Sequence, residues 1–258
     1  MIDRRSFLTR ALTAGAVLSV DAVPWLTRAR PASAASPLAL VYRGPASSPG
    51  IPDDTATFLA TCPQRFRVAF CGPGRHDLPV ESSTLAKAAL FVQPGGGNDF
   101  TAAWESVRSY THPLRDFISA GGHYLGICMG GYLAGSGPGY GLLPGNCDDY
   151  TQTRGAEVHD SRNAVITVDW PPPPDGRTRR IFYQDGPYFW LDRGARGQVL
   201  ARYTNGLIAA MVVVFGAGRV GVCGPHPEAN RSWFRLAELP YPGSTYDLGH
   251  QLVNAVMA

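Results

Sequence analysis

Lysine is all but missing from this chain: Lys87 is the only one in 258 residues. There is no internal repeat and no long run of like charge, so the chain lacks the basic tracts with which many proteins grip nucleic acid. The apolar stretch near the N-terminus, Ala11 to Val23, is broken by Asp21 and falls short of the ~20 residues a stable membrane-spanning helix needs. His76, His112, His123, His159 and His250 share no metal-ligand spacing with one another, with a Cys or with a carboxylate. No cofactor and no metal are expected.

The N-terminus reads as an address. Arg4-Arg5-Ser6-Phe7-Leu8 is a twin-arginine pattern, an apolar stretch follows, and Ala32-Ser33-Ala34 offers a small-x-small cleavage site. We expect residues 1–34 to be a signal peptide handled by the twin-arginine export machinery. The mature chain, residues 35–258, would then be exported to the periplasm or beyond, with no stable membrane span after cleavage. A Sec signal or an uncleaved anchor would look similar. The formal charge of +3 belongs to that peptide, which holds Arg4, Arg5, Arg10, Arg28 and Arg30 against Asp3 and Asp21. Removing it leaves 18 basic and 18 acidic residues, a neutral chain that gives no reason to expect a nucleic-acid partner.

Some 220 residues suffice for one domain with a good core. Apolar runs at Leu38–Tyr42, Phe66–Phe70, Leu90–Gln93 and His123–Ile127 read as strands. Helical patterns at Asp53–Thr61, Thr101–Tyr110 and Pro113–Ser119 alternate with them. Such alternation implies a doubly wound, mostly parallel sheet. The middle differs. Gly135 to Asn146 reads as a loop, and Ala164–Trp170, Arg180–Tyr183, Gln198–Tyr203 and Leu207–Phe215 read as strands without helices between them. This β-rich insert is expected to pack over one edge of the sheet. Pro171–Pro174 reads as a rigid surface spacer, and Tyr246–Met257 as a closing helix.

Three segments carry chemistry. In Gly126-Ile127-Cys128-Met129-Gly130, a buried strand turns sharply into Gly131-Tyr132-Leu133-Ala134, the start of a helix. That is a nucleophile elbow, G-x-Nuc-x-G, with cysteine as nucleophile. A helix N-terminus behind the sulfur favours a thiolate, although a buried structural thiol in a Gly-rich turn reads the same way locally. The second segment, Arg219 to Gly224, is a strand that runs into Pro225-His226-Pro227-Glu228. Residues two apart in extended backbone point the same way, so Glu228 can hold the His226 ring while His226 faces the thiol. Cys128, His226 and Glu228 then stand as nucleophile, base and orienter. A solvated His and Glu would be the plainer outcome. Third, strand Leu90–Gln93 ends in Pro94-Gly95-Gly96-Gly97-Asn98. The amides of Gly95 or Gly96, with that of Met129, could form an oxyanion hole.

A PGG turn, a G-x-C-x-G elbow and a terminal His-Pro-Glu together resemble the class I glutamine amidotransferase-like superfamily. Leu40-Val41-Tyr42-Arg43-Gly44-Pro45, Gly126 to Tyr132, Tyr183 to Phe189 and Gly224 to Glu228 narrow the resemblance to the amidotransferase-like domain at the N-terminus of some biotin–protein ligases. The resemblance implies a flavodoxin-like fold, and makes Tyr132, Asp185 and Tyr188 candidates for the substrate pocket. Two departures matter. Glutamine-using members place a Gln soon after the elbow, whereas here the stretch is Gly131 to Ala134. No Gly-Arg-Gly-Arg-type adenylate loop is present, and Gly176-Arg177-Thr178-Arg179-Arg180 does not fit one. The expectation is therefore a thiol hydrolase or amidase acting on a small-molecule or peptide-like amide, without biotin ligase activity. A cysteine protease-like member of the superfamily, or a binding or sensing module that has lost turnover, are the alternatives.

The five cysteines are Cys62, Cys71, Cys128, Cys147 and Cys223. Cys62 and Cys71 flank one expected strand near opposite ends, too far apart for the ~4.4–6.8 Å between Cα atoms that a disulfide needs. No particular bridge is expected.

Overall fold

The alternating strands and helices wind about one long sheet. The computed structural model describes residues 36–258 apart from Asn98 and 171–176. The signal peptide expected over residues 1–34 and the four-proline spacer lie outside the described residues. The strands are β1 Leu38–Tyr42, β2 Arg67–Cys71, β3 Leu90–Gln93, β4 His123–Ile127, β5 Gly145–Asp149, β6 Ala164–Asp169, β7 Thr178–Tyr183, β8 Pro187–Leu191, β9 Gln198–Tyr203, β10 Ile208–Phe215 and β11 Gly218–Cys223. The helices are α1 Ile51–Ala60, α2 Ser82–Leu85, α3 Phe100–Val107, α4 Thr111–Ser119, α5 Met129–Ala134, α6 Arg231–Leu236 and α7 Tyr246–Met257.

The sheet order is β2-β1-β3-β4-β11-β10-β9-β6-β7, with β5 and β8 paired to each other off this path. Strands β2, β1, β3, β4 and β11 are mutually parallel. Their side chains alternate between two cores. Ala39, Val41, Leu90, Val92, Leu125 and Ile127 meet Phe58 and Leu59 of α1 and Leu252, Val253 and Val256 of α7. On the other side Leu40, Phe91 and Tyr124 meet Val107 of α3, Leu114 and Ile118 of α4 and Leu133 of α5. Near-continuous apolar strands are what a sheet covered on both faces requires.

The β-rich insert does not pack over an edge, as the sequence suggested; it lengthens the sheet. β10 and β11 form an antiparallel hairpin, Phe215 opposite Gly218, and β9 and β6 continue outward from β10. The reason lies in β10 itself. Ile208 to Val213 are all buried, so this strand is apolar on both faces and suited to a sheet interior. Strand-length loops also hid β5 and β8, which pair in register from Gly145 opposite Leu191 to Asp149 opposite Pro187.

Candidate active site

β4 ends at Ile127 and α5 begins at Met129, leaving Cys128 alone at the corner with φ 52° and ψ −109°. A non-glycine residue in that region is strained, and such strain gathers at functional sites. The flanking glycines are required by close approach. A Cβ on Gly126 would stand 2.2 Å from the carbonyl oxygen of Gly130, and one on Gly130 would stand 2.1 Å from that of Gln93. The Cys128 amide donates to the Cys223 carbonyl at 2.8 Å, which ties the elbow to the last residue of β11. The chain leaving β11 therefore passes beside the sulfur.

Three residues on comes His226. Its amide donates to the Phe182 carbonyl at 2.9 Å, and its ring lies edge-on to Trp233, centroids 5.1 Å apart. Its Nδ1 is 2.8 Å from Oε1 of Glu228, and the two side chains are 1% and 0% exposed. Cys128 lies beside the same ring, close enough to act on its charge. Burial alone would pull the His226 pKa down, but Glu228 and Cys128 outweigh it and raise it from 6.5 to about 10. The ring is thereby fitted to take and hold the proton that Cys128 gives up. The Sγ of Cys128 also donates to the Gln184 carbonyl at 3.4 Å.

Gly95 is pressed against both partners. A Cβ there would meet Cε1 of His226 at 2.5 Å and Cβ of Cys128 at 3.1 Å. No described residue accepts a hydrogen bond from the amides of Gly95, Gly96 or Met129, whereas the Gly97 amide is taken by Oγ of Ser48 at 2.9 Å. The first amides of a helix have no intrahelical acceptor, which leaves that of Met129 free to face a ligand.

The sulfur opens on a pocket of about 760 Å³, a size suited to a small organic ligand. Gly96, Met129, Tyr132 and Asp185 all line it, as does the free thiol of Cys147. Burial, then Asp149, Cys128 and Asp185, hold the Tyr132 hydroxyl well above its ordinary range. Tyr188 is the exception among the expected pocket residues. It lies outside, on β8, its ring 5.7 Å from that of Trp190, which does line the pocket. Side chains two apart on a strand share a face but reach different depths of it.

Sequence reasoning passed over Asp99, Asp148, Asp149, Ser48 and Trp190, all of which line the pocket. Asp148-Asp149 at the end of a Gly-rich loop was the available signal, but nothing local tells that this pair sits on a strand facing Asp185. It also passed over Asp54, which accepts from Nε1 of Trp233 at 2.6 Å and from Nδ2 of Asn230 at 2.7 Å. That grip fixes the indole against the His226 ring.

Residues 39–140 match the family described as biotin-protein ligase, N terminal. A biotin–protein ligase from Schizosaccharomyces pombe is 28% identical over 178 residues, which is 58% of this chain and 28% of that protein. The chain thus spans less than a third of the relative's length. A glutamine amidotransferase from Methylobacillus flagellatus superposes with a TM-score of 0.50 at 16% identity, over 86% of this chain and 90% of the other. A putative ThuA-like protein from Bacteroides uniformis superposes with a TM-score of 0.51 at 11% identity, over 89% and 94%.

Proposed function

For a chain related in sequence to the N-terminal domain of biotin–protein ligases and built on the fold of a glutamine amidotransferase, we propose an exported thiol amidase with Cys128, His226 and Glu228 as its triad. The observation that carries this reading is the strained Cys128 corner meeting a buried His226–Glu228 pair beside three unoccupied backbone amides.

In this reading Cys128 passes its proton to His226 as Sγ attacks the carbonyl carbon of an amide or related acyl group. The oxyanion that forms is held by the amides of Gly95 or Gly96 and Met129. His226 gives its proton to the leaving nitrogen as the C–N bond breaks, and a thioester remains on the sulfur. The ring, now neutral, takes a proton from water, which attacks the thioester and frees the acid and the thiol. Glu228 fixes the ring and stabilises its charged form. Biotin transfer is not part of the proposal, because no adenylate loop is found in the sequence.

Trapping decides it. The mature chain is incubated with a panel of amides and activated esters, quenched in acid and weighed intact. A Cys128-linked acyl adduct that disappears in Cys128→Ala supports the reading. Turnover that survives Cys128→Ala would overturn the triad, and no adduct from any acyl donor would leave a binding module instead. Export is proposed on the Arg4-Arg5 signature: Arg4→Lys with Arg5→Lys should strand precursor in the cytoplasm, and the exported chain should begin near Ala35.

A further inference from the structure

The charge of the pocket is one-sided. Asp99, Asp148, Asp149 and Asp185 all line it, and none of the described residues that line it is Lys, Arg or His. Composition does not explain this, because residues 35–258 are balanced at 18 basic and 18 acidic. Arg43, in the adjoining cleft, is held by Asp77 and lines a separate cavity that shares Ser48 and Gly97 with this one.

The carboxylates come from three parts of the chain that folding brings together. Asp148 and Asp149 end β5, Asp185 follows β7, and Asp99 caps α3 by accepting from the Ala102 amide at 2.7 Å. Asp149 accepts from the amide and hydroxyl of Thr151 through Oδ1, at 2.7 and 2.8 Å, which leaves Oδ2 for a ligand. Asp185 is different. It has no hydrogen-bond or ion-pair partner among the described residues, and its backbone is held at φ 48°. It also follows directly on Gln184, whose carbonyl receives the Cys128 thiol. Partial burial first, and Asp149 second, raise the Asp185 pKa, and its side chain stays open to the pocket without a counter-charge. These carboxylates are not gathered as metal ligands: no group of three His, Cys, Asp or Glu among the described residues could hold an ion. What fits is a diffuse, hydrogen-bonding organic cation.

We infer that the pocket selects amides that carry a protonated amine or guanidinium near the scissile carbonyl, with Asp185 and Asp149 as the residues that recognise it. This rests on the thiol-amidase reading and names its substrate class. A cleft lined by one sign of charge focuses the field and raises the local concentration of the opposite charge. A substrate carboxylate would meet the reverse.

Charged thiol probes test this without needing turnover. A cationic trimethylammonium-ethyl methanethiosulfonate and its anionic sulfonate-ethyl counterpart each transfer their thio group to Cys128, with methanesulfinate leaving. Their rates at Cys128, followed by mass spectrometry, are divided by their rates with a free small-molecule thiol. The cation-to-anion ratio is expected about tenfold or more above one at low salt, collapsing as salt shortens the Debye length. Asp185→Asn and Asp149→Asn should each lower it, while the salt response of the unaltered chain serves even if a variant misfolds. A normalised ratio of one, insensitive to salt, would overturn the inference. The two proposals fail separately. If His226→Ala leaves labelling of Cys128 unchanged, the triad is lost but the ratio still reports the pocket. If Nα-acetyl-lysyl- and Nα-acetyl-norleucyl-anilides, which differ only in the side-chain cation, are cleaved equally by a Cys128-dependent reaction, the amidase stands and the cation preference falls.

Discussion

Nδ1 of His226 lies 2.8 Å from Oε1 of Glu228 in a site where both side chains are essentially sealed from water. Burial disfavours the charged ring, yet Glu228 and Cys128 raise its pKa from 6.5 to about 10. In the unfolded chain the ring loses its proton near its ordinary value. The stability this pair contributes is therefore fully present below about pH 6.5 and is lost as pH rises through about 10. Urea midpoints of the mature chain should fall across that window. In Glu228→Gln the fall should shrink, and stability near neutral pH should drop by about 1–3 kcal/mol. Part of that drop has a plain source: Oε2 of Glu228 is buried with no partner among the described residues, so an amide NH2 there would be unsatisfied. A slope across pH 6.5–10 that is the same in both proteins would contradict the buried pair.

The thiols should divide sharply. Burial pushes Cys62, Cys71 and Cys147 up to about 12, and Cys223 well above its ordinary range. Cys128 alone faces the His226 ring at a pocket mouth. Iodoacetamide near neutral pH should label Cys128 at least about tenfold faster than any of the others, since the thiolate is the reacting species. His226→Ala should slow that labelling. Peptide mapping after short exposures reads the order directly, and equal labelling of all five would make Cys128 a structural thiol.

The elements that frame the sulfur were legible because their signals are local. β1, β3 and β4 read as unbroken apolar runs, and their bounds match the expected ones to the residue. The elbow and the His-x-Glu exit were equally local, since two glycines and a two-residue spacing encode them. What the sequence hid is non-local. β5, Gly-Asn-Cys-Asp-Asp, has no apolar alternation and becomes a strand only because β8 lies against it some forty residues later in the chain. The pocket's acidic wall hangs on that pairing, so Asp148 and Asp149 could not be placed. The grip of Asp54 on Trp233 joins residues 179 apart in sequence and left no trace in either segment.

Gly95 offers a test of the site's geometry that touches no ionisable group. A methyl at this position would stand 2.5 Å from Cε1 of His226 and 3.1 Å from Cβ of Cys128, so the ring or the elbow must move. Overpacking of this kind costs about 1–3 kcal/mol, which a domain of this size should survive folded. Displacing the ring by a fraction of an ångström should nonetheless cost about 10²-fold in any Cys128-dependent acylation rate. Gly95→Ala should therefore keep its circular dichroism spectrum and lose acylation. Full acylation with the methyl in place would mean that His226 does not work where it sits.

Free glutamine should be a poor substrate despite the amidotransferase fold. Its α-carboxylate would enter a pocket lined by Asp99, Asp148, Asp149 and Asp185, with no lysine, arginine or histidine among the described lining residues to receive it. The stretch after the elbow, Gly131 to Ala134, offers only the Tyr132 hydroxyl as a polar group, and burial holds that hydroxyl protonated. Each buried polar group of the ligand left without a partner costs about 1–3 kcal/mol, and a carboxylate facing like charge costs more. Glutamine's α-ammonium suits these carboxylates, but the α-carboxylate on the same carbon is carried in with it, a cost that an amine-bearing amide without a carboxylate avoids. Ammonia release from glutamine by the purified mature chain should stay near the background set by Cys128→Ala. Asp149→Asn combined with Asp185→Asn should raise it if charge is what excludes glutamine. Glutamine turnover at ordinary enzyme rates, abolished by Cys128→Ala, would show that the backbone amides alone can hold the carboxylate.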